Sequence, residues 1–364
     1  MTRAATATID LQALQYNLQR VRESAANARV ISVIKANGYG HGMLRVAEAL
    51  SSSDAFAVAK IEEAVTLREA GITQPILLLE GFADATELAL LAQHAIDAVI
   101  HHQAQITLLE QTPLASPLKV WLKIDTGMHR LGVNVDDALT SYRRLQACAS
   151  QACANVADEI VVMSHFANAD DRSDPSTAAQ LKQFNLATAE IDAAHSLANS
   201  AAILAHKESH AAWVRPGIML YGVSPFIDAV AADDRLKAVM TLSSKLIAIN
   251  HYKKGDALGY GGSWCCPEDM SVGVVAIGYG DGYPRAARAG TPVLINGQRV
   301  PLVGRVSMDM LCVDLRQLPA AAIGDRAVLW GAGLPVEEIA QCANTIPYEL
   351  LCRVTQRVQF TEIE

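Results

Sequence analysis

Between residues 29 and 217 the chain alternates short β-branched runs with Ala-, Leu- and Glu-rich segments of helical character, and it does so eight times. No other feature narrows the fold as much, because consecutive parallel strands need a crossover between them and repeated βα units cover the sheet they build. The candidate strands are 29–35, 55–59, 76–81, 97–101, 120–125, 160–166, 196–199 and 213–217. Among the intervening segments, 61–70 places Ile61, Ala64, Val65, Leu67 and Arg68 at the spacing of an amphipathic helix. Eight such units close as a (β/α)8 barrel of the TIM type, an α/β fold.

Near residue 235 the texture changes. Helical patterns fade, and short alternating runs rich in Val, Gly and Pro take over at 270–277, 292–295, 299–302 and 327–330. Asn296-Gly297, between two of these runs, has the chemistry of a tight hairpin turn. A chain of 364 residues also exceeds what one hydrophobic core usually serves. The reading is a barrel over 1–235 and a smaller, mostly β domain over 236–364, the first few residues being candidates to pair with the second domain.

With 51% hydrophobic and 19% charged residues the chain is expected to fold rather than stay disordered. A net charge of −8 without a Lys/Arg run argues against nucleic acid and against an anionic membrane as partner, and favours a small molecule. The N-terminus lacks the long apolar stretch of a signal peptide, and no apolar run is long enough to span a bilayer, so a cytoplasmic location is expected. Seven cysteines (148, 153, 265, 266, 312, 342, 352) without a C-x-x-C pair indicate neither a disulfide framework nor a zinc site, and no metal is expected.

The chemistry concentrates at the end of the first candidate strand, where Lys35 is followed by Ala-Asn-Gly-Tyr-Gly-His-Gly. In a parallel barrel this end is the mouth, where active sites are built. A lysine flanked by Val33 and Ile34 is partly desolvated there, which lowers its pKa and exposes a nucleophilic amine. The glycines at 38, 40 and 42 suggest close approach of backbone to a ligand. Neither Gly38-Tyr-Gly40-His-Gly42 nor Gly278-Tyr-Gly280-Asp-Gly282 has the full spacing of a dinucleotide loop.

The Lys35 block resembles the pyridoxal phosphate (PLP) attachment signature of alanine racemases. Further blocks resemble that family in order along nearly the whole chain: Trp121-Leu-Lys123-Ile-Asp-Thr-Gly-Met-His-Arg130, Ser164-His165-Phe-Ala-Asn-Ala-Asp, Asn199-Ser200-Ala, Arg215-Pro-Gly217-Ile218-Met-Leu-Tyr-Gly, Gly259-Tyr260-Gly-Gly, Gly278-Tyr279-Gly-Asp-Gly-Tyr, Gly304-Arg-Val-Ser-Met308-Asp309 and Ile346-Pro-Tyr348-Glu. The resemblance implies an isomerase that interconverts L- and D-alanine, for peptidoglycan or for alanine catabolism.

By the same resemblance, Lys35 holds PLP as an internal aldimine and serves as one proton-transfer base, with Tyr260 as the other on the opposite face. Two bases are needed because a planar carbanion changes hand only if protonated from the side opposite to the one that lost the proton. His165 and Arg215 form a relay behind Tyr260, and Arg215 faces the pyridine nitrogen. An arginine does not readily give up a proton, so the ring nitrogen stays unprotonated and side reactions are restrained. Ser200, Gly217, Ile218, Tyr39 and Tyr348 are assigned to the phosphate, and Asn199 to a nearby cofactor contact. Arg130 is the partner of the substrate carboxylate or the cofactor's phenolic oxygen. Lys123 matches a position that is carbamylated in many racemases, an unmodified lysine being the alternative. Tyr260, Tyr279, Met308 and Asp309 are implied to complete the site of a neighbouring subunit in a homodimer, with Tyr279 and Tyr348 as the constriction that rejects larger amino acids. That constriction argues against a broad-specificity racemase or a decarboxylase of basic amino acids. A non-catalytic PLP-binding barrel would lack both the β domain and a Tyr260 equivalent.

Overall fold

The computed structural model describes residues 5–150 and 154–363; Cys153 lies outside them. Strand β1 (Thr6–Asp10) precedes β2 (Arg29–Val33), β3 (Ala55–Val58), β4 (Ile76–Leu78), β5 (Ile96–Ile100), β6 (Leu118–Lys123), β7 (Val156–Met163), β8 (Ala194–Ser196) and β9 (Trp213–Val214). Strands β2 to β9 form a closed parallel barrel in chain order, with Arg29 and Val30 of β2 pairing with Trp213 and Val214 of β9. Its interior and the seam to the helices are dry: Phe56, Leu77, Val99, Trp121 and Val161 are all essentially inaccessible to solvent. Each such side chain contributes about 1.5–3 kcal/mol relative to exposure.

All eight candidate runs form strands, but their ladders stop short of the expected ends. The first stops at Val33 rather than at residue 35, the third at Leu78 rather than 81, the seventh at Ser196 rather than 199, and the eighth at Val214 rather than 217. The surplus residues leave the sheet to build the mouth, and β-propensity does not separate the two roles. The helices start where polar side chains can satisfy their first amides. Glu63 accepts from the amides of Ala59 and Lys60 at 3.0 and 3.2 Å ahead of the helix Ile61–Glu69, and Asp84 accepts from Thr86 and Glu87 at 2.8 and 3.0 Å.

Beyond the barrel, the chain is mostly β: β10 (Met240–Tyr252), β11 (Ala257–Leu258), β12 (Trp264–Cys265), β13 (Met270–Val275), β14 (Pro292–Ile295), β15 (Gln298–Val303), β16 (Leu311–Asp314), β17 (Arg326–Trp330) and β18 (Gln359–Ile363). One sheet runs β13-β16-β15-β14-β17-β10-β1-β18, and the long β10 also pairs with β13. Strand β1 belongs to this sheet, antiparallel to β10 and parallel to β18. Asn296 and Gly297 form the two-residue turn between β14 and β15, both at positive φ (48° and 81°), the type I′ geometry that follows strand twist.

Two short helices, Val336–Cys342 and Pro347–Cys352, interrupt the β texture. Neither is long enough to impose a helical period on the sequence, although Pro347 at the first turn is a start signal. The first helix ties the two parts of the chain together. Its buried Glu337 accepts from the amides of Ser224 and Ala231, both at 2.9 Å. Cys265, Cys266, Cys312, Cys342 and Cys352 carry thiols. Among the described residues no helix is long and apolar enough to cross a membrane.

Candidate active site

The loops that leave the C-terminal ends of the barrel strands enclose a cavity of about 940 Å³. That is near the upper end of the roughly 300–1,000 Å³ usual for small-molecule sites. Lys35 follows β2, Lys123 ends β6, His165 follows β7, Asn199 and Ser200 follow β8, and Arg215 follows β9. All of them line this cavity, together with Tyr39, Arg130, Gly217, Ile218 and Tyr348.

Lys35 does not end a strand as its sequence suggested. The chain leaves β2 at Val33, and Ala36, Asn37, Gly38 and Tyr39 all adopt left-handed backbone (φ 53°, 54°, 63° and 51°). A non-glycine residue in this region costs roughly 1–2 kcal/mol, so the turn is strained and must be held by its surroundings. Gly40 is needed for a different close approach from the one expected: a Cβ there would lie 2.1 Å from the carbonyl oxygen of Leu351, in the helix Pro347–Cys352. The glycine admits a neighbouring backbone rather than a ligand. Burial lowers the pKa of Lys35, and the Arg130 guanidinium lowers it further. A neutral, nucleophilic amine is thereby favoured.

Arg215 is buried and held through its two terminal nitrogens. It donates to Ser196 Oγ and the Ser164 carbonyl, both at 2.6 Å, to the Leu197 carbonyl at 3.2 Å, and approaches His165 Nδ1 at 3.3 Å. Burial brings its pKa down to about 10, so it stays a cation at neutral pH. His165 is held well below the usual imidazole range by burial and then by the Arg215 charge, so its Nδ1 is an acceptor toward Arg215. Lys123 donates to the Leu131 carbonyl, and burial with the Arg215 charge lowers its pKa to about 8.

At the other end of the cavity Ser200 Oγ accepts from the amides of Gly217 and Met219, at 2.9 and 3.4 Å. The Gly217 amide is therefore turned to Ser200 rather than left open. With two amides filling its acceptor positions, Ser200 keeps its own O–H to donate. Asn199 Oδ1 caps the helix Ser200–Ala205 through the Ala202 amide at 3.1 Å, which leaves its Nδ2 as the free donor group. A Cβ at Gly217 would lie 2.6 Å from Tyr39 Oη, so only glycine leaves that phenol in place. Burial raises the pKa of Tyr39 and of Tyr348, keeping both as neutral hydroxyl donors.

This donor set fits a phosphorylated aldehyde. Hydroxyls gather at one end, and four basic side chains (Lys35, Lys123, Arg130, Arg215) line the cavity with the acids Glu80 and Asp170. Lys35 would hold the aldehyde carbon, Ser200, Tyr39 and Tyr348 the phosphate, and Arg215 the ring.

Tyr260, Tyr279, Met308 and Asp309 do not line the cavity of their own chain. Tyr260 lies in a turn between β11 and β12 and is 68% exposed, with Met308 at 51% and Tyr279 at 39%. Tyr279 and Met308 adjoin, the amides of Tyr279 and Gly280 bonding to the carbonyls of Ser307 and Met308. Arg357 beside them pairs with both Asp281 and Asp309. An exposed apolar cluster with a paired polar rim is the composition of an interaction surface.

Glu80, His101, Ile346 and Cys352 also line the cavity and had no assigned role. Glu80 and His101 were visible in principle, since each falls at the end of a barrel strand segment. Cys352 carries no such signal.

The profile of the family described as alanine racemase, N-terminal domain matches residues 9–225, and that of the C-terminal domain matches 239–361. The chain is 52% identical over 355 residues to the alanine racemase of Nitrosococcus oceani, covering 98% of each. A crystal structure of the biosynthetic alanine racemase from Pseudomonas aeruginosa superposes with a TM-score of 0.96 at 44% identity, over the full length of both chains. An alanine racemase from Bartonella henselae with covalently bound pyridoxal phosphate superposes with a TM-score of 0.88 at 30% identity, again over both full chains.

Proposed function

The chain belongs to the alanine racemase family of PLP-dependent isomerases, and from that premise we propose that it interconverts L- and D-alanine with two bases, Lys35 and Tyr260, contributed by different subunits of a homodimer. The observation that carries this reading is the division of the site residues. The amine, the guanidinium and the hydroxyl cradle share one cavity, while Tyr260, Tyr279 and Met308 stand exposed elsewhere on the same chain.

PLP, when bound, supplies an electron sink for the carbanion formed at the substrate's α-carbon. The chain's own residues supply the rest. Lys35, with its lowered pKa, takes or returns a proton on one face. Tyr260 of a second copy does so on the other, backed by His165 and Arg215. Arg215 would face the ring nitrogen and, as a cation at neutral pH that does not readily give up its proton, leave that nitrogen unprotonated. Arg130 would take the substrate carboxylate, and the seated partner would narrow and dry the mouth with Tyr279, Met308 and Asp309. Tyr279 beside Tyr348 would leave room for a methyl side chain and little more. We assign it the supply of D-alanine, as for peptidoglycan, in the cytoplasm; the Pseudomonas aeruginosa relative is described as biosynthetic, which favours supply over breakdown.

Lys123 is proposed to carry a carbamate. Its neutral amine would add CO2 and release a proton, exchanging a cation disfavoured by Arg215 and Arg130 for an anion they both attract. With a pKa of about 8, about a tenth of the amine is neutral at pH 7 and about nine-tenths at pH 9. In 13C-bicarbonate a carbamate resonance is expected that strengthens from pH 7 to pH 9 and is absent from Lys123→Ala. Wild type without the resonance at pH 9 would show an unmodified lysine.

The functional test is chiral product analysis on a panel of amino acids. L- and D-alanine should each yield the racemate, with larger and basic amino acids turned over at least about 100-fold more slowly. Release of CO2, or equal turnover of lysine or arginine, would refute the reading.

A further inference from the structure

We propose that His41 is a positioning residue for this reaction: its Nδ1–H clamps the carbonyls of Gly38 and Tyr39 and so holds the left-handed turn that aims Lys35 and Tyr39 into the cavity. The inference rests on the reading of Lys35 as the cofactor lysine and adds a residue to which no role had been given.

The His41 ring is 0% exposed, and its Nδ1 lies 3.1 Å from the Gly38 carbonyl and 2.9 Å from the Tyr39 carbonyl. Two carbonyls around one ring nitrogen require that nitrogen to carry the proton, which fixes the tautomer. Among the described residues Nε2 has no hydrogen-bond partner, so only one of the two nitrogens is used. Burial holds the imidazole in its neutral form, with a pKa down to about 4, so the clamp does not titrate near neutrality.

The clamped carbonyls belong to the strained segment. Gly38 and Tyr39 are the third and fourth of five successive left-handed residues, Ala36 to Gly40, and the first follows Lys35 directly. In this conformation their carbonyls have no strand partner: the Gly38 carbonyl accepts from the His41 amide at 2.9 Å as well as from the ring, and the Tyr39 carbonyl takes its donor from the ring. The surroundings add contact without replacing it. Tyr39 stacks on Tyr221 at 4.6 Å between ring centroids, and His41 packs against the same ring at 4.7 Å. Tyr221 donates in turn to the Val33 carbonyl at 3.1 Å, where the chain leaves β2. Asn37 Oδ1 accepts from the Met43 amide at 2.9 Å and closes the far side of the loop. His41 thus links the exit of the strand, the turn and the phenol that adjoins Gly217.

The clamp makes a sharp demand on geometry. Asparagine places its side-chain nitrogen about where Nδ1 sits, glutamine places it further out, and phenylalanine keeps the ring contact but has no donor. Full-length His41→Asn, His41→Gln and His41→Phe should be compared with wild type in melting temperature, PLP affinity, kcat and KM. Hydrogen exchange of the peptide spanning 34–43 should be followed with and without PLP. The expected result is a wild-type-like Asn variant, with Gln and Phe losing at least about tenfold in PLP affinity, as for one lost hydrogen bond in a buried site. Exchange at Gly38 and Gly40 should quicken in Gln and Phe even without PLP, and kcat should fall more than KM rises. Equal behaviour of Asn and Gln, a Phe variant with unchanged affinity and exchange, or an Asn variant that no longer folds would each overturn the proposal. Failure of the Lys35 reading would show differently, as a wild-type protein that binds no PLP at that lysine.

Discussion

Lys35→Ala should leave a folded chain whose alanine racemisation is at least about 10³-fold slower than wild type, because the change removes both the covalent hold on the cofactor and one of the two bases. The two losses are separable. PLP should be lost on gel filtration from the variant and kept by the wild type, whereas an added small amine should restore part of the rate by substituting for the missing base. The fold should survive, since Lys35 lines the cavity and the turn after it is held by His41, by Asn37 and by its own backbone hydrogen bonds, Gly38 amide to Ile34 and Gly40 amide to Ala36, rather than by the lysine side chain. The direction of the Lys35 pKa gives a further check. It is lowered by burial and by Arg130, so the amine is available as a base at a lower pH than a free lysine, and removing the Arg130 charge should move the ascending, acidic limb of the rate profile to higher pH. A Lys35→Ala enzyme within tenfold of wild type would contradict the assignment.

Tyr260→Phe is expected to act on one side only. Exchange of the α-proton of L-alanine with deuterated solvent should fall by about 10²–10⁴-fold, the usual contribution of a positioned base, while exchange from D-alanine should stay within about tenfold. Equal losses on both sides would show Tyr260 to be a structural aromatic. The exposure of this tyrosine makes a second expectation concrete. If Lys35 and Tyr260 meet only across an interface, mixing Lys35→Ala chains with Tyr260→Phe chains must create sites that carry both native groups. Random exchange of equal amounts gives half heterodimers with one intact site in two, so about a quarter of wild-type activity should return. No recovery on exchange would mean that each chain builds its site alone.

How far the sequence revealed this molecule depends on the kind of signal. The eight βα units were legible because a buried parallel strand and an amphipathic helix each leave a period, and the Asn296-Gly297 hairpin because its turn demands positive φ. The ends of the strands were not. Lys35, Asn199 and Gly217 lie within β-like runs but outside the ladder, and their conformations are set by tertiary contacts that propensity does not encode. The left-handed turn at 36–39 is the plainest case, since Ala36 and Tyr39 have no intrinsic preference for it. The helix Pro347–Cys352 was equally hidden, and with it the reason for Gly40. Within the site, Lys35, His165, Ser200 and Arg215 were readable from their motif blocks, and they share one cavity. His41 and Tyr221 stood in those same blocks without a role, because a buried clamp is visible only once the carbonyls it holds are known.

The most direct measurement is borohydride reduction of PLP-supplied protein followed by peptide mapping. The wild type should show the visible absorption band of a lysine-linked cofactor, and reduction should abolish the band and leave a pyridoxyl-phosphate mass on the peptide that contains Lys35. A protein without that band, or a label on any other lysine, Lys123 included, would contradict the central claim.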